Sequence, residues 1–379
     1  MAGITWEQLR ELAAFRAENG CAVSLYVNLD PSEAPTAAAV DTRVNSQLSE
    51  AERLAEERKA SMTHGQREGL KADIDRIRQW FDDGFDRHGG VRGVAVFAAS
   101  LDNFWSTLAL PSSVPDDVKI ANELYLAPLT RHVGRDGALV AAVGRERGEV
   151  FRLRGGVLVE IADESTDVPG RHDQGGWSQA RYERHIENIV DQHLREVADT
   201  LDACVRKLRG VPIVLVGADE IRSEFEDLLT KEARDCLAGW ASAEAHADGP
   251  QLLEAVRPVL DEWWRKREGA LLERWREEAG KNGRAAAGWE QTLEAASDGR
   301  VELLLVQNGV DQPAYECPKC GRAQMTDGSC PLDGTTMVSR DNGVDLAVHR
   351  TLEHGGTVHV LRDRQDLEPV GGVGALLRF

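Results

Sequence analysis

The sequence predicts an α/β protein of three domains, and three observations lead to this prediction. Short apolar segments typical of strands alternate with longer segments of helical periodicity along the chain. The 379 residues, 42% of them apolar, exceed what one hydrophobic core usually serves. The pattern breaks near Tyr125 and again near Gly249-Pro250, as expected at linkers. We therefore predict domains at residues 1–126, 127–246 and 247–379.

The N-terminal domain, residues 1–126, is predicted to have an α/β fold. Segments 22–29 and 94–99 are apolar runs of the length of a buried strand. Segments 37–57 and 66–81 carry charged, amphipathic patterns with helical spacing. Strands and helices therefore alternate in this domain.

The central domain, residues 127–246, is predicted to contain a mostly parallel or mixed sheet covered by helices. A strand at 138–143 precedes a hairpin with strands 148–154 and 156–161, and a polar, Gly-rich loop follows. A long helix comes next, and a strand returns at 212–216. The apolar positions that repeat along this helix are Ile186, Ile189, Val190, Leu194, Val197, Leu201, Cys204, Val205 and Leu208.

The C-terminal domain, residues 247–379, begins with a long, charged helical stretch. A strand, a cysteine cluster, a helix, a second strand and an apolar end follow at 301–306, 317–330, 346–352, 358–361 and 374–379. The tryptophans of this region are Trp263, Trp264, Trp275 and Trp289. We interpret them as packing residues rather than as a platform on which bases stack.

Hydropathy, cysteine usage and net charge indicate the cellular compartment and limit the classes of binding partner. The longest apolar runs are far shorter than the roughly 20 residues that a membrane helix needs, and the charged opening does not resemble a secretory signal. Three of the six cysteines cluster and three stand singly, which favours a reducing compartment. We expect a cytoplasmic protein with no membrane partner. The net charge of −19 argues against DNA and restricts any RNA contact to local patches.

A loop with two adjacent glycines, Gly175 and Gly176, is the most informative part of the sequence. Two glycines allow backbone conformations that other residues avoid and a close approach to a substrate. Ser178 can cap the helix that follows, and the basic residues of its first two turns oppose the helix macrodipole. Such placement suggests a phosphate-rich partner. The candidate RNA-binding residues are Arg171, His172, Trp177, Arg181, Arg184 and His185.

A structural interpretation of the same loop stays open. In it, the loop is solvated and its arginines pair with neighbouring carboxylates such as Asp173, Glu183 and Glu187. This interpretation needs no ligand.

The order of strand, hairpin, Gly-Gly loop and long helix resembles the central domain of the class-one archaeo-eukaryotic release factors. In that family a Gly-Gly-Gln tip enters the peptidyl transferase centre of the ribosome, where the glutamine helps to position water for attack on the peptidyl-tRNA ester. The resemblance carries over Gly175 and Gly176, whereas Trp177 occupies the position of the glutamine. Because the family's glutamine positions water, the tryptophan at this position leaves the hydrolytic step without its usual side chain.

Gln179 offers a substitute amide. The sequence Gly176-Trp177-Ser178-Gln179 looks like the Gly-x-x-Gln arrangement of the related ANKZF-type peptidyl-tRNA hydrolases. The resemblance makes Gly175, Gly176 and Gln179 the candidate catalytic residues. Hydrolysis would depend on orientation and electrostatics supplied by rRNA, with no organic cofactor. In the alternative, Trp177 stacks on a base or plugs the site without catalysis.

The cysteine cluster has the form of two facing zinc knuckles. Cys317 and Cys320 belong to the first, and Cys330 and Asp333 hold the matching positions of the second. Tetrahedral zinc takes four ligands, and a carboxylate can be one of them, although it binds more weakly than a thiolate. The sequence predicts either a structural zinc site or a ribbon that keeps its fold without metal.

The C-terminal sequence resembles the C-terminal domain of Pelota-type factors, which is similar to the kink-turn-binding ribosomal protein fold. Residues 289–306 match its helix and strand, and the zinc-ribbon-like segment interrupts it as in several relatives. In the N-terminal domain, Asp30-Pro31 after a strand and a helix with Arg43 are similar to the bacterial branch. The sequence contains no decoding loop of the Asn-Ile-Lys-Ser type, so ordinary termination by codon recognition is not expected.

These resemblances imply a ribosome-associated factor that enters the A site in ribosome rescue. Its partners would be rRNA, peptidyl-tRNA and a translational GTPase, and an acidic body suits a stand-in for tRNA, which is itself a polyanion. Peptidyl-tRNA hydrolysis is one version of this function. Silent occupation, as in the Pelota-like hibernation factor Balon, is a second, and a free RNA-binding module is a third.

Overall fold

The structure is a computed structural model, and it describes residues 4–83, 85, 91–133, 137–154, 156–165, 179–208, 210–243, 247–281, 283–362 and 364–379. The chain forms two compact units. The first consists of Met1–Gly134 together with Ala270–Phe379, and the second of Arg135–Gly269. The predicted α/β class is confirmed at this level. The three predicted domains do not correspond one to one with these two units, because the first unit contains both an N-terminal and a C-terminal sheet. The three-domain division therefore stays a prediction.

The N-terminal part of the first unit is an antiparallel sheet of order β3-β2-β1-β4 with helices packed on it. Its elements are α1 (Trp6–Ala13), β1 (Ala22–Asn28), α2 (Ala37–Arg58), α3 (His64–Asp83), β2 (Gly93–Ala99), β3 (Phe104–Leu110), β4 (Asp117–Ala121) and α4 (Ala127–Thr130). β1 and β2 are buried along their whole length. This explains their largely apolar sequences, since α2 and α3 cover one face and the shared core of the unit covers the other.

The second unit is a mixed sheet of order β7-β6-β5-β8-β9, as the sequence predicts for this region. Its elements are β5 (Leu139–Val143), β6 (Arg147–Arg154), β7 (Val157–Ser165), α5 (Gln179–Lys207), β8 (Ile213–Gly217), α6 (Asp219–Leu228), α7 (Lys231–Asp235), β9 (Leu237–Ala241) and the first part of α8 (Gly249–Gly280). β5, β8 and β9 are parallel neighbours, and the hairpin strands are antiparallel. A side chain at Gly148 would overlap Val197 of α5, so glycine permits the close packing of this helix.

The C-terminal part of the first unit has a sheet of order β10-β16-β11-β15, in which β11 and β15 are parallel. A small antiparallel sheet of order β13-β12-β14 is inserted after β11. The elements are β10 (Ala285–Ala287), α9 (Trp289–Ser297), β11 (Val301–Gln307), β12 (Ala314–Glu316), β13 (Ala323–Gln324), β14 (Val338–Arg340), α10 (Gly343–Glu353), β15 (Thr357–Leu361) and β16 (Val373–Leu377).

The tryptophans of α8 and α9 support the packing interpretation. Trp275 and Trp289 are buried, and their indole N–H groups donate to the carbonyls of Ala286 at 3.0 Å and Gly371 at 2.8 Å. Trp263 and Trp264 contact each other edge to face. Within the described ranges, no helix combines the length and the apolar character needed to cross a membrane.

His132, just after α4, gives the first unit a pH-dependent stability. Burial, together with the charges of Arg131 and Arg362, lowers the pKa of His132 to about 3. Below about pH 6.5, His132 is therefore protonated in the unfolded chain but stays neutral in the folded chain. The free energy of unfolding decreases as the pH falls from 6.5 towards 3. From pH 7 to pH 4.5, this group should cost about 2 kcal/mol of unfolding free energy.

The measurement is urea unfolding at both pH values for the unchanged chain and for His132→Asn, whose amide can retain a contact with Ser112. The variant should lose about 2 kcal/mol less than the unchanged chain on acidification. His64→Asn, at an exposed position, is the control and should behave like the unchanged chain. Equal acid sensitivity in all three chains would contradict the assignment.

Candidate functional site

The Gly-Gly loop predicted as the reactive site lies outside the described residues. This applies to Arg171, His172, Gly175, Gly176 and Trp177. The structure places the two ends of this segment: β7 ends at Ser165, and α5 begins at Gln179. The segment is therefore carried between an edge strand and the start of a long helix.

The other candidate residues of this site fall in the first turns of α5. Gln179 is the first helical residue, and Arg181, Arg184 and His185 follow it; their side chains are outside the description. Further along α5, Leu194 and Val197 are fully buried against the sheet. The helix is thus anchored in the core of its unit, and its amino-terminal end carries the predicted loop.

The predicted metal ligands are brought together by two knuckles of the inserted sheet. Cys317 follows β12, and its carbonyl accepts a hydrogen bond from Gly321 N–H at 2.9 Å. The carbonyl of Cys330 accepts one from Gly334 N–H at the same distance. Both glycines have positive φ, 74° and 75°, a conformation that side chains disfavour. The knuckles therefore share one geometry, and Asp333 occupies the position that Cys320 holds in the first.

The distances between the ligand atoms match a tetrahedral metal. Cys320 Sγ and Cys330 Sγ are 3.5 Å apart, and Cys317 Sγ lies 3.7 and 3.8 Å from the carboxylate oxygens of Asp333. All four ligand atoms lie within 4.8 Å of one another. Metal bonds of about 2.3 Å to sulfur and about 2.1 Å to oxygen give tetrahedron edges of about 3.6–3.8 Å. The cysteines are free thiols, so these three residues and Asp333 can hold a metal ion.

The surroundings of the cluster favour the ionised forms of Cys317 and Asp333 but not that of Cys320. The Arg322 backbone N–H favours the Cys320 thiolate, but burial and the thiols of Cys317 and Cys330 raise the pKa of Cys320 to about 11. Burial opposes ionisation of Cys317, but the backbone N–H groups of Cys320 and Lys319 lower the pKa of its thiol overall. A hydrogen bond of 2.9 Å from Thr335 N–H lowers the pKa of the Asp333 carboxyl. With both of these groups ionised, a cation at the centre would be stabilised by charge as well as by geometry.

The sequence did not predict a buried charge network that borders the first knuckle. Arg350 of α10 is 7% exposed and pairs with Glu123 at 3.0 Å, Glu316 at 3.5 Å and Glu353 at 2.7 Å. A side chain at Gly321 would overlap the Arg350 guanidinium, so the knuckle lies directly against it. An arginine within the helical stretch 346–352 was the available signal, but its partners Glu123 and Glu316 are distant in sequence.

Helix α10 also fixes the segment that follows β4. The Asp345 carboxylate accepts hydrogen bonds from the backbone N–H groups of Leu126 at 2.8 Å and Ala127 at 2.9 Å. His349 Nε2 lies 2.6 Å from the carbonyl oxygen of Leu124. The N-terminal and C-terminal parts of the first unit are therefore joined by specific polar contacts as well as by a common core.

Comparisons with known proteins find similarity to release factors, with a family match in the central part of the chain. Residues 125–260 match the profile of the bacterial archaeo-eukaryotic release factor family 10. Peptide chain release factor subunit 1 of Archaeoglobus fulgidus is 23% identical over 325 residues, which cover 83% of this chain and 78% of that protein. The same factor from Methanopyrus kandleri is 28% identical over 211 residues, covering 53% of this chain and 51% of that protein, about half its length.

Among solved structures, the chain is similar to archaeal Pelota in an assembly described as ribosome-bound archaeal Pelota and ABCE1. The sequence identity is 17% and the TM-score is 0.41. The match covers 76% of this chain and 77% of that chain.

Proposed function

We propose that the chain is a member of the archaeo-eukaryotic release factor and Pelota superfamily and that it is a ribosome-associated factor that enters the vacant A site in ribosome rescue. The observation that carries this proposal is the match of residues 125–260 to a release factor family, because that segment contains Gly175 and Gly176. The proposed partners are rRNA, peptidyl-tRNA and a translational GTPase, and the proposed location is the cytoplasm.

In this proposal the Gly-Gly loop enters the peptidyl transferase centre. The glycines allow close approach of backbone to the tRNA ester, and the basic residues flanking them contact rRNA phosphates. Gln179 supplies the amide that helps to orient water, and the remaining catalytic contribution comes from orientation and electrostatics within rRNA. The burial of Leu194 and Val197 supports this role, because a helix fixed in a core can hold its amino-terminal end steady.

Ribosome binding tests the proposal. We expect the purified chain to co-sediment with 70S particles at low salt and to be released as salt rises, because phosphate contacts are screened. Replacing both Gly175 and Gly176 with alanine should weaken association about tenfold, since each added Cβ limits the approach of the loop. The matched control is Gly65→Ala with Gly280→Ala, which adds the same atoms where nothing lies within 4 Å.

Two outcomes would contradict the proposal. One is a purified chain that does not co-sediment with 70S particles at low ionic strength. The other is unchanged association and cleavage after both loop glycines have been replaced, which would remove the loop from the interaction.

Trp177 favours a second candidate function, the silent occupation of the A site in hibernating ribosomes. Its indole stands at the position of the family's glutamine and is able to stack on a base. Stalled ribosome complexes carrying labelled peptidyl-tRNA separate the two functions. Ester cleavage that is lost in Gln179→Ala supports hydrolysis, and binding without cleavage supports occupation. Binding to free RNA alone would instead support a simple RNA-binding module.

We propose that the cluster of Cys317, Cys320, Cys330 and Asp333 holds structural zinc. Thiolates with one carboxylate form a donor set that suits zinc, and all four positions of a tetrahedron are filled by protein groups. A filled tetrahedron leaves no position for substrate, so the metal would stabilise the inserted sheet rather than take part in ester chemistry.

A further inference from the structure

A groove lies between the consecutive helices α2 and α3 of the first unit. Its volume is about 390 Å³. Ala55 of α2 lines one side and Leu70 and Ile74 of α3 line the other. Met62 lines the groove from the connection between the two helices. The groove belongs to a different compact unit from the Gly-Gly loop.

The floor of this groove is apolar. Leu70 and Ile74 are each 3% exposed, and Ala55 and Met62 are partly buried against the same core. Ala55 contributes only a methyl group, so α2 leaves space open in front of α3 at this level. The flexible thioether of Met62 can adapt to apolar groups of different shape. The floor therefore suits the apolar part of a ligand.

Most of the carboxylates at the rim of the groove already have a cation beside them. Arg78, which does not line the groove, lies 2.6 Å from the carboxylate of Glu52 and 3.1 Å from that of Asp75. The ammonium group of Lys59 lies 2.8 Å from the carboxylate of Glu56. These three acids are therefore neutralised within the protein.

Two cations of the rim, in contrast, have no carboxylate partner among the described residues. Lys71 is exposed and forms no ion pair there. Arg67, one turn before it on α3, has one hydrogen bond, from its Nε to the backbone carbonyl of Thr63 at 3.4 Å. Glu68 is the one rim carboxylate that is left without an ion pair in the same part of the chain. The unpaired charges of the rim are thus two positive and one negative.

We propose that this groove binds a small amphiphilic anion, which consists of an apolar alkyl body and one carboxylate or similar acidic group. The body lies on Leu70 and Ile74, and the acidic group meets Lys71 and Arg67. A volume of about 390 Å³ falls near the lower end of the range for small-molecule sites, which are mostly apolar with a few polar groups that orient the ligand.

The composition of the groove argues against a nucleic acid as its ligand. Among the described residues, no Phe, Tyr or Trp lines it, so it offers none of the large aromatic rings on which bases usually stack. The proposal does not depend on the ribosomal function.

Charge variants provide the first test. The probe is sodium decanoate, which is titrated below its micelle concentration into the full chain and followed by calorimetry. Lys71→Gln and Arg67→Gln should each weaken binding about fivefold, because each removes one cation from a solvated rim. Glu68→Gln should strengthen binding about threefold, since it removes a carboxylate that repels the probe.

Lys231→Gln is the matched control for the charge variants. It removes an exposed lysine of α7, in the other unit, and should change the affinity by less than about twofold. Decyltrimethylammonium has the same alkyl chain with a positive head group. It should bind at least about tenfold more weakly than decanoate, because the unpaired cations of the rim repel it.

A variant that fills the groove tests where the ligand lies. Ala55→Leu places an apolar side chain where the alkyl body would lie, so the affinity for decanoate should fall at least about tenfold. Its thermal unfolding midpoint should stay the same or rise, because the added group covers apolar surface of the core. Ala72→Leu adds the same atoms at an exposed position of α3 that does not line the groove, and it should leave binding unchanged.

Several results would overturn the proposal. They are an absence of saturable decanoate binding, equal binding of decyltrimethylammonium, and unchanged binding in Ala55→Leu. A fourth is a change of affinity in the same direction in Glu68→Gln and Lys71→Gln, because an anion responds to these two charges with opposite sign. Sedimentation velocity without decanoate tests occupation by a second copy, since a dimer that Ala55→Leu dissociates would assign the groove to self-association instead.

Discussion

Replacing Arg350 with methionine should lower the free energy of unfolding of the first unit by about 3–5 kcal/mol. The side chain is 7% exposed, and its removal leaves Glu316, which is fully buried, with Arg340 as its remaining ion-pair partner in the described residues. Glu123 loses a partner as well. The cost comes mainly from acids that stay buried after their cation has gone, since methionine fills much of the same space. Urea unfolding at neutral pH measures it.

The control for this prediction is Arg53→Met on α2. Arg53 pairs with Glu50 and Glu57, but these groups are largely exposed, so the loss should stay below about 1 kcal/mol. Adding Glu316→Gln to the Arg350 variant should recover part of the stability, because the buried acid is then neutral. A loss below about 1 kcal/mol for Arg350→Met would show that the network contributes little.

Removing a thiolate from the metal cluster should abolish metal binding. We expect about one zinc ion per purified chain, and a loss of affinity of at least roughly two orders of magnitude in Cys317→Ser or Cys330→Ser, because both side chains are buried and serve as ligands. Asp333→Cys should bind more tightly than the unchanged chain, since it completes a set of four thiolates. Elemental analysis and competition with a chelator measure both effects.

The lone cysteines provide the matched control for the metal prediction. Cys21→Ser and Cys204→Ser make the same chemical change away from the cluster and should leave the zinc content unchanged. A purified chain that contains no metal and takes up none from added Zn²⁺ would instead support the ribbon that folds without metal.

Local patterns made much of the fold predictable. The predicted strands at 22–29 and 301–306 correspond to β1 and β11, because both segments are short, mostly apolar and largely buried. The predicted helix at 346–352 is the central part of α10. In contrast, Ser106 and Thr107 interrupt the apolar residues of β3, which is half-exposed along most of its length, so no strand was predicted there.

The candidate sites also differ in how far the sequence predicts them. The spacing of Cys317, Cys320 and Cys330 specifies two knuckles by itself, so the cluster was predictable. The pairing of Arg350 with Glu123 was not, because it depends on segments that meet only after the N-terminal and C-terminal parts have packed together. Periodicity and spacing describe neighbours along the chain and carry no information about such distant pairs.

The close approach of Gly321 to the Arg350 guanidinium connects the proposed metal site to the packing of the N-terminal sheet. Arg350 touches the first knuckle on one side and Glu123, next to β4, on the other. By thermodynamic linkage, any factor by which zinc strengthens this attachment is the factor by which the attachment strengthens zinc binding. With zinc bound at the cluster as proposed, loss of the metal would therefore also weaken the packing of the N-terminal sheet, and unfolding of that sheet would weaken zinc binding.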